Sequence, residues 1–165
     1  MGFVNSDLWK LRQKWGQGLT MWPGVTVIAM NKDGKIWMGK RADNGQWAIV
    51  GGYYELGDSA ENAARREVKE ELGLDIAELE MIGVITDPKI TYIKYPNGDE
   101  VQSPSHVFVA IVKDGKSHDD DEHSQHQWVE PEEVMNFVTP GGMGFTSVAM
   151  EMYENWLETE EFQIK

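Results

Sequence analysis

Cysteine is absent from this chain of 165 residues. That excludes a disulfide scaffold, a thiolate metal site and a thiol nucleophile. The opening stretch Met1-Gly2-Phe3-Val4-Asn5-Ser6-Asp7 has neither the basic segment nor the apolar segment of a secretory signal. No apolar run approaches the roughly 18 residues that a membrane helix requires. These absences predict a soluble, cytoplasmic protein. Basic residues are also few: 15 against 28 acidic ones, a formal charge of −13. Such a field repels polyanions and argues against a non-specific nucleic-acid binder. It would equally repel a small phosphate ligand unless divalent cations stood between the two.

Internal repeats, low-complexity tracts and long linkers are missing too. The length suits one domain with an ordinary core, and 41% hydrophobic with 26% charged residues fits a globular chain. Leu8, Leu11 and Trp15 recur at i, i+3 and i+7, predicting a short amphipathic helix over Ser6–Trp15. Pro23–Met30 reads as a strand with Val25, Val27 and Ala29 on one face. Asp33-Gly34 then supplies a hairpin turn into Lys35–Gly39. A second turn signal, Asn97-Gly98, joins Thr91–Tyr95 to a long run from Val101 to Val112. The part from Val107 to Val112 is apolar on both faces, as in a central buried strand. Helices are predicted at Ser59–Leu72, Pro131–Phe137 and Ser147–Leu157. Strands, hairpins and helices in this mixture imply an α+β fold, a mixed sheet with helices packed on it.

The informative stretch is GGYYELGDSAENAARREVKEELGL, Gly51 to Leu74. Asp58 is a good N-cap and Glu61, three residues on, can complete a capping box. Gly73 is the expected stop. At about 100° per residue, Glu67, Glu70 and Glu71 fall on one side of the helix, with Ala60 and Ala63 leaving that side sterically open. Ala64, Val68 and Leu72 form an adjacent apolar stripe for the sheet. Three like charges on one face are destabilising unless something neutralises them. Mg²⁺, which takes oxygen ligands and shares them with water and phosphate, meets that need. A solvated acidic face paired with Lys69, Arg65 and Arg66 is the simpler reading of the same three residues.

Spelled out, Gly52 is followed by five residues, Asp58, seven residues, Arg66-Glu67-Val68, one residue, Glu70-Glu71, one residue and Gly73-Leu74. This resembles the Nudix box, G-x5-E-x7-R-E-U-x-E-E-x-G-U with U aliphatic, at all specified positions but Asp58. The resemblance extends through Trp47–Gly52, although a proline usually stands where Val50 does. It continues in Tyr95-Pro96-Asn97-Gly98-Asp99-Glu100 and Gln127–Val134, covering about residues 21 to 138. Residues 1–20 then form a helical extension and 145–160 a C-terminal helix of one domain.

The resemblance implies an α/β/α sandwich and a pyrophosphohydrolase using Mg²⁺ (or Mn²⁺). Glu67, Glu70, Glu71 and the carbonyl of Gly51 would hold the metal, and Arg66 would orient Glu67. Glu67, Glu70 or an acid from a later loop would take the proton of the attacking water. Glu122, in Ser117–His123, is the candidate for that extra acid, while Asp119–Asp121 read as a solvated loop. His118, His123 and His126 read as surface histidines; His106 faces either core or cleft. Arg41 is placed to reach a phosphate, and Trp47, Tyr53, Tyr54 and Trp128 to stack on a base or to serve as buried aromatics. Trp9, Trp15 and Trp156 suit packing or contacts.

Two further readings stand beside this one. A Nudix-fold sensor would bind a nucleotide without cutting it, and intact Glu67, Glu70 and Glu71 argue against that. An interaction protein would use its amphipathic ends; the resemblance is compatible with a homodimer meeting through Leu8, Trp9 and Leu11. The expected partner is a small-molecule nucleotide, from NTPs and damaged nucleotides to ADP-ribose or dinucleotides, and neither a nucleic-acid polymer nor a membrane. Pro88 and Tyr92 lie in the stretch that distinguishes substrates in the family.

Overall fold

The computed structural model describes residues 4–118, 122–139 and 144–165. Its elements in chain order are α1 (Asp7–Trp15), β1 (Thr20–Met21), β2 (Gly24–Met30), β3 (Ile36–Arg41), β4 (Trp47–Ala48), β5 (Val50–Tyr53) and α2 (Ala60–Leu72). There follow β6 (Ile76–Ile85), α3 (Pro88–Thr91), β7 (Tyr92–Lys94), β8 (Glu100–Gln102) and β9 (Ser105–Val112). The chain closes with β10 (His123–Val129), α4 (Val134–Phe137), α5 (Gly144–Thr159) and β11 (Gln163–Ile164).

The main sheet runs β10-β3-β2-β9-β6-β11 and is mixed. At its centre β9 lies parallel to β2 and antiparallel to β6. Alternation along these strands sorts the side chains into two cores. Val25, Val27, Ala29, Phe108, Ala110 and Val112 face Ala63, Ala64, Val68 and Leu72 of α2. Ile28, Met30, Val107 and Val109 face Ala149, Met150, Met152 and Tyr153 of α5. The sheet is thus held between α2 and α5, an α/β/α sandwich.

One feature of the sheet builds the site. β2 and β3 pair directly only where Met30 meets Ile36, and then they part. The segment after the turn fills the fork: β4 pairs with β3, and β5 pairs with β2 from Gly24 to Val27. Gly51 and Gly52 are thereby fixed inside the sheet, just before α2 begins. A smaller sheet, β1-β8-β7, stands beside this region.

Several expectations change. The run from Val101 to Val112 is two strands in two sheets, because Pro104, which has no N–H to give a ladder, separates β8 from β9. Thr91 closes the short α3, leaving Tyr92–Lys94 as the strand. Pro131–Phe137 divides into a 3-10 turn, Pro131–Glu133, and α4. Ser59, not Asp58, caps α2, accepting the Asn62 N–H at 3.2 Å. Ala63 is fully buried and so does not leave an open face. On α1 the buried pair is Leu8 and Arg12, while Trp15 is exposed.

Candidate active site

Ser59 starts α2 and Gly73, in the left-handed conformation that glycine adopts without strain, ends it. Between them the helix lays Val68 and Leu72 on the sheet, which turns Glu67 and Glu71 toward the fork. Both carboxylates are buried. Gly51 donates its N–H to Glu71 Oε1 at 3.2 Å. A Cβ at Gly52 would collide with the Glu67 carboxylate, so the second glycine of the pair leaves the room in which that carboxylate sits.

Arg66 organises the acids. Its Nη1 donates to Glu67 Oε1 at 2.6 Å and stands 3.7 Å from Glu70 Oε2. Its Nη2 donates to the Tyr53 carbonyl at 2.7 Å and to Asp58 Oδ2 at 3.0 Å. Asp58 also accepts the Glu55 N–H at 3.0 Å. One methylene shorter than glutamate and relieved of capping by its neighbour, Asp58 ties the loop to Arg66. Burial pushes the Glu67 carboxyl up to about 7, outweighing Arg66, which pulls it down. Glu70 and Glu122 add repulsion in the same direction as burial.

These groups open on a cavity of about 520 Å³. Of the residues expected at the site, Arg41, Gly51, Tyr53, Arg66, Glu67, Glu71 and Glu122 line it. Glu70 does not line it, lying one turn along α2, where it meets Arg66. Trp47 packs instead on the α5-side core with its ring edge-on to Phe137 at 5.4 Å. Tyr54 packs on the α2-side core and shares a 2.8 Å hydrogen bond with His106 Nδ1, so neither of these two faces the cavity. Trp128 packs on the α2-side core. Arg41 is held by Asp43 through two hydrogen bonds, Nε–Oδ1 at 2.9 Å and Nη2–Oδ2 at 2.7 Å.

His123 departs from its reading as a surface group. Its side chain is 6% exposed, lines the cavity and places Nε2 3.7 Å from Glu71 Oε2. The ring meets Trp37 edge-on at 5.2 Å and occupies a slot that exists because residue 39 is glycine. His126 stacks on Trp37 with ring centroids 6.1 Å apart and hydrogen-bonds Ser117, and His118 meets the Glu70 carbonyl at 3.0 Å. The reading of Asp119–Asp121 falls outside the described residues. Sequence reasoning also missed Glu55, Asp43, Tyr95 and Asp99 on the cavity wall. The turn signal at Asn97-Gly98 and the family-resembling run Tyr95–Glu100 pointed at two of them, Tyr95 and Asp99, without giving either a role.

The wall carries six carboxylates, from Asp43, Glu55, Glu67, Glu71, Asp99 and Glu122, against two guanidiniums, from Arg41 and Arg66. Among the described residues no three acidic or histidine side chains are drawn together as a closed metal site. The donor chemistry, hard oxygens in excess negative charge beside an open cavity, fits a hard divalent cation that keeps waters and shares phosphate ligands.

Residues 20–144 match the profile of the NUDIX domain. The chain is 33% identical over 118 residues to a putative 8-oxo-dGTP diphosphatase of Bacillus subtilis (strain 168), covering 71% of this chain and 72% of that one. It is 30% identical over 120 residues to nucleoside triphosphatase NudI of Escherichia coli, covering 68% and 85%. In structure it is similar to a MutT protein from Methanosarcina mazei Go1, with a TM-score of 0.65 and 18% identity over 84% of this chain and 96% of that one. The profile spans well over half the chain, on the same residues that build the fork, the acidic helix and the cavity. The chain belongs to the Nudix hydrolase family, the pyrophosphohydrolases.

Proposed function

We propose that this hydrolase cleaves a phosphoanhydride bond of a nucleoside triphosphate, giving the monophosphate and pyrophosphate, with Mg²⁺ or Mn²⁺ as its cofactor. A nucleoside diphosphate derivative cut to the monophosphate and a phosphorylated remainder is the same chemistry with a different leaving group. The observation that carries this reading is the placement of Glu67 and Glu71 with Gly51 at the floor of a cavity whose wall is acidic. Two relatives with nucleotide substrates in their names support the triphosphate over other derivatives.

Glu67, Glu70, Glu71 and the Gly51 carbonyl would hold the cation. A divalent ion held by these residues would supply an acidified water and offset phosphate charge. The chain's own part is orientation and proton transfer. Arg66 fixes Glu67, and Asp58 fixes Arg66. Glu122 or one of the helix carboxylates accepts the proton of the attacking water. Arg41 meets a terminal phosphate, and Tyr53 contributes to the nucleoside wall. The excess of carboxylates keeps a naked nucleotide out, so binding is coupled to the cation. No helix among the described residues is long and apolar enough to cross a membrane. The expected substrate is the free nucleotide pool of the cytoplasm, with a homodimer as the expected assembly.

The test is pyrophosphate release from a panel of nucleoside triphosphates, ADP-ribose and dinucleotides with Mg²⁺ or Mn²⁺. Metal-dependent release, fastest on a triphosphate, supports the proposal. Tight metal-independent nucleotide binding with no turnover on any compound would favour a non-catalytic nucleotide-binding role.

A further inference from the structure

Residues 1–19 lie outside the stretch that matches the family, yet Ser6 among them reaches the cavity. At the same end of α1, the Asp7 N–H donates to Glu55 Oε2 at 2.9 Å, and Asp7 Oδ2 accepts the Leu56 N–H at 2.7 Å. The other end is organised by Arg12, whose side chain is 5% exposed. Its Nη1 donates to the carbonyls of Gly16 and Gly18, and its Nη2 to Thr20 Oγ1 at 3.0 Å and to the Glu100 carbonyl at 2.5 Å. Its Nε stands 3.9 Å from Asp99 Oδ1.

We propose that Arg12 is a positioning residue, which fixes the Tyr95–Asp99 turn as the nucleoside-facing wall of the cavity. Through it the N-terminal helix sets substrate affinity and choice without touching the reacting phosphates. The proposal rests on the hydrolase reading of this cavity and adds to it the device that shapes its far wall.

The turn has its own bonds. Tyr95 N–H donates to the Asp99 carbonyl and Gly98 N–H to the Tyr95 carbonyl, both at 2.9 Å. Asn97 Nδ2 donates to Asp99 Oδ2, and Asn97 Oδ1 accepts the Asp99 N–H, both at 3.0 Å. Those bonds give the turn its shape but not its place. Its place comes from the pairing of β7 with β8 on either side of it, from the Tyr95–Tyr53 hydroxyl pair at 2.5 Å, from Gln17 on the Asn97 carbonyl, and from Arg12, which holds the Glu100 carbonyl at the turn's exit and faces the Asp99 carboxylate. Of the two side chains that the N-terminal segment contributes, Arg12 is buried and Gln17 is exposed. Without its guanidinium, the carbonyls of Gly16, Gly18 and Glu100 lose a donor at once, so the tie between the end of α1 and the turn's exit is lost while the β7–β8 pairing remains. Lysine, a point charge on a flexible stem, cannot span these directions at the same time. Tyr95, Asn97 and Asp99 all line the cavity, and their polar edges suit the hydrogen-bonding edge of a base. Glu67 is held by separate contacts, with Arg66 and against Gly52.

The experiment compares the full chain with Arg12→Lys, Arg12→Met and Gln17→Ala at a temperature where circular dichroism shows each folded. Steady-state kinetics on ATP, GTP, CTP and UTP with Mg²⁺ should show KM raised at least about tenfold in Arg12→Met with kcat within about threefold. Arg12→Lys should fall between it and the parent. The preference among the four bases should shrink by about fivefold or more. Hydrogen exchange at residues 95–99 should accelerate, while that of α2 does not. Unchanged KM and base preference in folded variants, even with a lowered Tm, would overturn the proposal and leave Arg12 a stabiliser. Should the parent turn over none of the four, the triphosphate reading fails on its own. Binding of α,β-methylene-ATP and α,β-methylene-GTP then decides: about tenfold weaker in Arg12→Met supports the positioning role, and equal binding, or none to the parent, overturns it. If Arg12→Met does not fold, Arg12→Lys and Gln17→Ala carry the same comparison.

Discussion

At the scale of single residues, the Glu67 carboxylate sits 2.6 Å from the Arg66 guanidinium and still titrates near 7, because burial outweighs the attraction. The folded chain then binds this proton more tightly than the unfolded chain does. Its contribution favours the fold fully below the ordinary value of 4.5 and is lost as the pH rises through about 7. That rise corresponds to on the order of 3 kcal/mol. In metal-free protein, Glu67→Gln should therefore gain thermal stability over the parent at pH 8 and not at pH 5. Scanning fluorimetry at the two values checks it, and an equal change at both would contradict the account. Gly52 makes a complementary prediction. Gly52→Ala drives a methyl into Glu67, so Mn²⁺ binding followed by electron paramagnetic resonance should weaken and kcat fall at least about a hundredfold. A variant with parental metal affinity would show that the close approach is incidental.

Secondary-structure elements separate capping from catalysis. Ser59 caps α2, whereas Asp58 holds Arg66. Ser59→Ala should cost about 1 kcal/mol in chemical denaturation and leave kinetics near the parent's. Asp58→Ala should cut kcat by about tenfold or more by loosening Arg66, and Asp58→Glu should retain most of the activity. The opposite pattern would return Asp58 to the cap. α2 was legible in the sequence because its stripe of Ala64, Val68 and Leu72 and its stop at Gly73 follow from local rules. The cap was not, since Asp58 and Ser59 are both good caps and a tertiary contact with Arg66 chose between them. β6, the longest strand described, was missed: Glu78-Leu79-Glu80-Met81 alternates as a strand should, but its register with β9 shifts on both sides of that stretch and breaks the phase. β10 was missed because HSQHQWV is polar, its histidines being accommodated by Trp37 and Gly39. The fork between β2 and β3 depends on pairings remote in sequence, so Trp47 and Tyr54 read as candidate stacking groups when packing draws both into the cores. The helical face of α1 was misread because Arg12 is buried by hydrogen bonds and not by hydrophobicity.

For the molecule as a whole, a chain of charge −13 holds an acidic cavity meant, in this account, for a polyphosphate. The field and the ligand are reconciled only by cations, so chelation should abolish nucleotide binding as well as turnover. Calorimetry with a non-hydrolysable triphosphate in EDTA checks this, and undiminished affinity would mean that the protein recognises the nucleotide without metal. The box, its acidic helix and the family were legible because the motif is contiguous. The far wall, from Tyr95 to Asp99 with Arg12 behind it, was not, because it is assembled from segments some 80 residues apart. The most direct test of the central claim is pyrophosphate release from nucleoside triphosphates, with Mg²⁺ and with EDTA, by the parent and by Glu70→Gln. The account predicts turnover by the parent with Mg²⁺, none with EDTA, and a loss of at least about a hundredfold in the variant. Turnover that survives EDTA, or a Glu70→Gln enzyme as fast as its parent, would contradict it.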